Sequence, residues 1–114
     1  EKYSGGMKRR LSLIISLIHD PRIAFLDEPT VAMDPQSRHA VWDFIKDLKK
    51  KGKTIILTTH YMEEAEELCD RAGIIDHGKL ISLGSPKELI SRNGVKDLED
   101  VFIKLTGRKI REEV

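Results

Sequence analysis

The sequence predicts an α/β fold built on a parallel sheet, and three observations carry that reading. The first is a short apolar run ending in two acids, Ile23-Ala24-Phe25-Leu26-Asp27-Glu28-Pro29-Thr30. The second is another apolar run, Thr54-Ile55-Ile56-Leu57-Thr58-Thr59. The third is helical apolar spacing before, between and after the two runs. Short continuous apolar segments suit strands buried on both faces, and alternation of helix with strand favours parallel pairing.

Along the chain, Ser4-Gly5-Gly6 opens the first helix. Leu11, Ile14, Ile15 and Ile18 follow at i, i+3, i+4 and i+7, with Met7 one turn earlier. Ser4 suits an N-cap, and the glycines let the backbone approach a ligand closely. Asp20-Pro21 ends this helix, and a buried strand spans Arg22 to Leu26. Asp34-Pro35 reads as an N-cap with proline at the first helical position, ahead of an apolar stripe of Val41, Phe44, Ile45 and Leu48. Lys49, Lys50, Lys51 and Lys53 surround that helix's end, where cations complement its dipole, and Gly52 suits the left-handed closing position.

The second buried strand runs from Thr54 to Thr59 and ends at His60. A helix over Tyr61 to Arg71 places Met62, Ala65, Leu68 and Cys69 on one side, while Glu63, Glu64, Glu66 and Glu67 read mostly as a solvated face rather than a metal cluster. Two short strands, Gly73 to Asp76 and Lys79 to Ser82, flank a tight His77-Gly78 turn. Ser85-Pro86-Lys87-Glu88 is a capping box that starts a short helix ending at Asn93-Gly94. From about Asp97 a last amphipathic helix carries Leu98, Val101, Phe102 and Leu105, before a charged tail from Arg108.

Composition narrows the functional classes. With 114 residues, 39% hydrophobic and 34% charged, the chain is globular and forms one domain at most. Lys and Arg number 20 against 19 Asp and Glu, a net charge of +1. That balance argues against a nucleic-acid surface, which shows a clear basic excess. The single Cys69 excludes an internal disulfide and an ordinary cysteine zinc site, and reads as a core thiol. No apolar stretch approaches the roughly 20 residues of a membrane span, and no signal peptide is visible. The chain begins at Glu1 inside a motif, so it is expected to be a piece of a longer protein.

Two carboxylates at the carboxyl end of a strand would sit where open α/β sheets bind ligands. One can hold a hydrated magnesium ion while the other orients an attacking water, as phosphoryl transfer requires. A strand followed by a polar turn accounts for the octapeptide equally well, so its neighbours must decide. Tyr3-Ser4-Gly5-Gly6-Met7 is similar to the signature motif of ATP-binding-cassette (ABC) ATPases, usually Leu-Ser-Gly-Gly-Gln. Ile23 to Glu28 resembles Walker B with its catalytic glutamate, Val31-Ala32-Met33-Asp34 the D-loop, and His60 the switch histidine. Each motif alone is weak, but four in this order are specific, and the resemblance covers essentially the whole chain, 1–114.

The resemblance implies ATP and Mg²⁺ as ligands and a set of roles. Ser4, Gly5 and Gly6 would grip the γ-phosphate of ATP held by the opposite subunit. Asp27 would bind Mg²⁺ through water, and Glu28 would act on the attacking water as base or positioner. His60 would donate a ring hydrogen to the γ-phosphate. Asp34 would cap its own helix and cross the dimer interface. His19, His39 and His77 match no such role. Tyr3 and Met7 depart from the usual signature edges, and Val31-Ala32-Met33 from the commoner Ser-Gly-Leu, without removing a catalytic atom.

The larger departure is an absence. The sequence contains no Gly-x-x-x-x-Gly-Lys-Ser/Thr, no adenine-stacking aromatic residue ahead of the signature and no Q-loop glutamine. The fold implied is therefore the C-terminal part of a P-loop-type ABC ATPase domain, with parallel strands and helices plus a C-terminal hairpin and helices. The parent protein would be the ATPase and this chain alone inactive. His60 to Ala65, Leu68 to Arg71 and Gly84 to Leu89 resemble the ATPases of drug- and ion-exporting transporters, as does the stretch Leu98 to Gly107.

The implied partners are a second ATPase subunit in a head-to-tail dimer and a separate membrane permease, with no nucleic acid and no direct membrane span. The implied location is cytoplasmic, on the inner face of the cell membrane. Two other readings remain at this point: a non-catalytic truncated module docking on a full-length cassette, and a soluble ABC ATPase of DNA-repair type.

Overall fold

The computed structural model describes residues 21–107. The Ser4-Gly5-Gly6 turn, the helix expected after it and the charged tail from Arg108 lie outside the described residues. The described chain forms two compact units that divide between Thr59 and His60.

In the first unit, β1 (Ile23–Asp27), α1 (Pro35–Lys50) and β2 (Thr54–Thr58) follow in order. β1 and β2 pair in parallel, with Ile23 opposite Thr54, Phe25 opposite Ile56 and Asp27 opposite Thr58. The parallel pairing expected from the two apolar runs is present. α1 starts as its sequence dictates. Asp34 accepts a hydrogen bond from the Ser37 amide at 2.8 Å, and Pro35 fills the first turn. The helix closes at Lys51, with Gly52 in the left-handed region (φ 87°) beyond it. Its buried side chains are Val41, Trp42 and Ile45. Trp42 falls outside the stripe drawn from spacing, and the exposed His39 ring packs edge-on against it at 4.9 Å.

Burial of the strands differs from expectation. Ala24 and Leu26 are buried, but Ile23 and Phe25 are 52% and 74% exposed, and Ile56 is also exposed. Successive strand side chains point to opposite faces, so only one side of this pair is covered. An unbroken apolar run carries no alternation that could reveal this. β1 also runs one residue later than the expected Arg22 to Leu26. A further bond from the Glu28 amide to the Thr58 carbonyl, at 2.8 Å, continues the ladder past Asp27.

The second unit contains α2 (Met62–Leu68), β3 (Ala72–Asp76), β4 (Lys79–Gly84), α3 (Pro86–Asn93) and α4 (Leu98–Thr106). Its core is Ala65, Ile74, Leu89, Leu98 and Val101, with Met62, Cys69 and Phe102 among the partly buried residues around it. α2 is shorter than the expected Tyr61 to Arg71, because Cys69 is already extended ahead of β3. β3 and β4 form the expected antiparallel hairpin. His77 (φ 51°) and Gly78 (φ 75°) are both left-handed, as a two-residue turn of type I′ requires. Both halves of the capping box on α3 are made: the Glu88 amide donates to Ser85 Oγ at 3.1 Å and the Ser85 amide to Glu88 Oε1 at 2.8 Å. α4 begins at its cap Asp97, which accepts from the Asp100 amide at 2.8 Å.

The glutamates of α2 form mostly a solvated face, as expected: Glu63, Glu66 and Glu67 are exposed, and Glu64 alone of the four is fully buried. Glu66, although exposed, also has a structural partner, since its Oε1 accepts from the Leu98 amide at 2.6 Å. A carboxylate there satisfies one of the orphan donors at the start of α4 and complements the helix dipole. Leu105 is exposed, so the apolar stripe of α4 leaves the core in its last turn. Among the described residues, no helix is long and apolar enough to cross a membrane.

Candidate functional site

The segment from Asp27 to Asp34 begins at the carboxyl end of β1 and ends at the N-cap of α1. The parallel register sets Thr58 opposite Asp27. Thr58 Oγ1 donates to Asp27 Oδ1 at 2.6 Å, within the short range of a hydroxyl bonded to a carboxylate. Asp27 itself is exposed. Beyond it the chain leaves the strand through Glu28, whose φ of 45° lies in the left-handed region. For a non-glycine residue that conformation costs about 1–2 kcal/mol. It is held from both sides: the Glu28 amide donates to the Thr58 carbonyl, and the Glu28 carbonyl accepts from the Val31 amide at 3.2 Å.

The loop then winds on itself. The Met33 amide donates to the Thr30 carbonyl at 3.2 Å, and Ala32 is a second left-handed position (φ 64°). Pro29, Thr30 and Met33 are buried, so the loop is anchored by its apolar side and its hydroxyl residue. Arg38 reaches back from α1 to the Met33 carbonyl at 3.3 Å. Asp34 closes the segment as the helix cap. The Ser37 amide that it binds holds its carboxyl below the usual carboxylate range, against a smaller opposing effect of burial.

The structure thus brings Asp27, Glu28 and Asp34 onto one short segment. His60 opens the second unit, half-buried, with its ring tilted by 32° against Tyr61 at 4.6 Å between centroids. Ser4, Gly5 and Gly6 lie outside the described residues. Among the described residues, no group of three or more His, Cys, Asp or Glu side chains could hold a metal ion. Asp27 is a single hard oxygen donor at an exposed strand end. It fits an ion that keeps most of its waters and shares phosphate oxygens, as Mg²⁺ does.

Comparison with known proteins places the chain in a family. A family model described as "AAA domain, putative AbiEii toxin, Type IV TA system" matches residues 1–65. ABC transporter A family member 8 of Arabidopsis thaliana is 60% identical over 93 residues, 82% of this chain and 10% of that protein. The Nod factor export ATP-binding protein I of Ralstonia nicotianae is 50% identical over 99 residues, 87% of this chain and 31% of that protein. The linearmycin resistance ATP-binding protein of Bacillus subtilis is 48% identical over 112 residues, 98% of this chain and 35% of that protein. A solved structure described as the ATP-binding subunit of an ABC transporter superposes with a TM-score of 0.80 at 28% identity, covering 91% of this chain and 44% of that one.

The chain belongs to the AAA-type ATPase domains and, with these relatives, to the ABC ATPases. It spans about a third of the length of the bacterial relatives and a tenth of the plant one. The α/β fold expected from the sequence is that of an ABC ATPase subunit. The stretch that resembles Walker B is β1 with its exit residue Glu28, and the stretch that resembles the D-loop ends the turn leading from there to α1. Sequence reasoning missed Thr58, which it counted only as a strand residue. The signal that finds it is register: a hydroxyl directly across a parallel ladder from an acid.

Proposed function

We propose that this chain is the C-terminal portion of an ATP-hydrolysing subunit that powers export through a separate membrane permease. The observation that carries the reading is the pair Asp27 and Glu28, held at the end of β1 by Thr58, in a chain about half identical to export and resistance ATP-binding proteins. The parent assembly would be a head-to-tail dimer of ATPase subunits on the cytoplasmic face of the cell membrane.

The roles follow from the chemistry of each group. Asp27 would hold Mg²⁺ through its carboxylate, as a hard oxygen donor suited to a hydrated ion. The ion, when bound, neutralises charge on the phosphate oxygens. Glu28 accepts a hydrogen bond from the attacking water and aligns it with the γ-phosphorus, as general base or positioner. As the water oxygen bonds to phosphorus, the bond to the bridging oxygen breaks and ADP leaves, and the water's proton passes to Glu28 as base or to a phosphate oxygen where Glu28 only positions the water. His60 would donate one ring N–H toward the γ-phosphate. Ser4, Gly5 and Gly6, outside the described residues, would grip the γ-phosphate of ATP bound to the opposite subunit, as the resemblance implies. Asp34 caps α1 and carries the D-loop to the dimer contact.

Glu28→Gln in the full-length parent tests the reading. The amide keeps the size of the side chain but is a far weaker base, so ATP-bound dimers should accumulate while turnover falls by at least about a hundredfold. Dimer formation is read by sedimentation and turnover by phosphate release. Hydrolysis at the wild-type rate would overturn the assignment of Glu28.

A further inference from the structure

We infer that Thr58 is a positioning residue that sets both acids of the site, its hydroxyl orienting the Asp27 carboxylate and its carbonyl fixing the backbone of Glu28. The inference rests on the reading of Asp27 as the residue that meets the divalent cation.

One residue makes both contacts, 2.6 Å from its Oγ1 to Asp27 Oδ1 and 2.8 Å to its carbonyl from the Glu28 amide. An aspartate exposed at a strand end has several rotamers open to it in water. A bond from a hydroxyl to a charged carboxylate is stronger than a neutral one and restricts that sampling. The donor is itself preset, because a β-branched side chain has few χ1 choices. The parallel register supplies the alignment, with Asp27 and Thr58 as the last paired residues of the ladder. Carboxylates that meet metal ions are commonly held by such outer hydrogen bonds, and losing one weakens metal affinity. The second contact acts on Glu28 through the main chain. It stabilises a left-handed residue that would otherwise relax, and so fixes where the Glu28 side chain departs from the strand.

The two contacts can be separated experimentally. Thr58→Val keeps the branched shape, the strand preference and the carbonyl, and removes only the hydroxyl. Thr58→Ser keeps the hydroxyl. In the full-length parent loaded with a non-hydrolysable ATP analogue, Mn²⁺ affinity is read by electron paramagnetic resonance. The Mg²⁺ concentration for half-maximal turnover is read in parallel.

Thr58→Val should weaken Mn²⁺ binding roughly three- to tenfold and raise the Mg²⁺ requirement by a similar factor. Its nucleotide-free melting temperature should stay near wild type. Thr58→Ser should remain within about twofold of wild type on both readouts. If the valine variant does not fold, Thr58→Ala carries the same expectation. Unchanged Mn²⁺ affinity in Thr58→Val, with affinity lost in Asp27→Ala, would overturn the role of Thr58 and leave the proposed function standing. Unchanged affinity in Asp27→Ala would overturn the reading of Asp27, and the role of Thr58 with it.

Discussion

Glu28 and Ala32 adopt left-handed backbone within the one turn that joins β1 to α1, and neither is glycine. At Ala32 nothing in the side chain requires that conformation, so Ala32→Gly should stabilise the fold. The expected gain is about 0.5–1 kcal/mol, the relieved strain less the extra entropy of an unfolded glycine. Urea denaturation checks it; a loss of stability would mean that the Ala32 methyl makes a contact worth more than the strain. At Glu28 the same exchange would remove the carboxylate, so chemistry and backbone oppose each other at that position. The two acids were legible in the sequence because their types and spacing are explicit. The strain at Glu28 was not, since glutamate gives no hint of positive φ and the bonds to Thr58 and Val31 that hold it come from outside the residue itself.

At the level of elements, helix starts were the most readable features. Asp34-Pro35, Ser85-Pro86 and Asp97 each begin a helix, because caps are local chemistry and need no distant partner. Ser85→Ala should cost about 1 kcal/mol and shift the unfolding midpoint of the second unit downward. Glu88 adds a pH signature. The Ser85 amide above all holds its carboxyl below the usual range. A lowered folded value means that the ionised group stabilises the fold fully above the ordinary carboxylate range. That contribution is lost as pH falls through the lowered value. Glu88→Gln keeps an acceptor but cannot titrate, so denaturation measured from about pH 6 down to about pH 3 should show a shallower acid-side slope. An identical slope would refute the linkage. Helix faces were harder to read than helix starts. The Glu66 cap of α4 depends on an element 32 residues along the chain, which spacing within one helix does not encode, and the burial of Glu64 and Trp42 likewise departs from the apolar stripes.

Across the whole molecule, both units present apolar strand surface. Ile23, Phe25 and Ile56 are exposed in the first, and Ile75, Leu80, Ile81 and Leu83 in the second. Clustered apolar surface of this kind promotes association. The purified 114-residue chain should therefore sediment as dimers or larger species at micromolar concentration, and Phe25→Thr with Leu80→Thr should shift it toward monomer. A monomeric wild-type chain under those conditions would contradict the expectation. The α/β class and the parallel pairing were readable because apolar runs and helical periods are dense signals, whereas the bare strand face was hidden by the uniform apolarity of those runs. The last rung of the parallel ladder has one more consequence. The Glu28 amide proton is sheltered by a single bond to Thr58, next to a residue that meets water. Its rate of exchange with deuterated solvent is therefore a built-in clock for opening of the acid-bearing edge, readable in any nucleotide state without waiting for turnover.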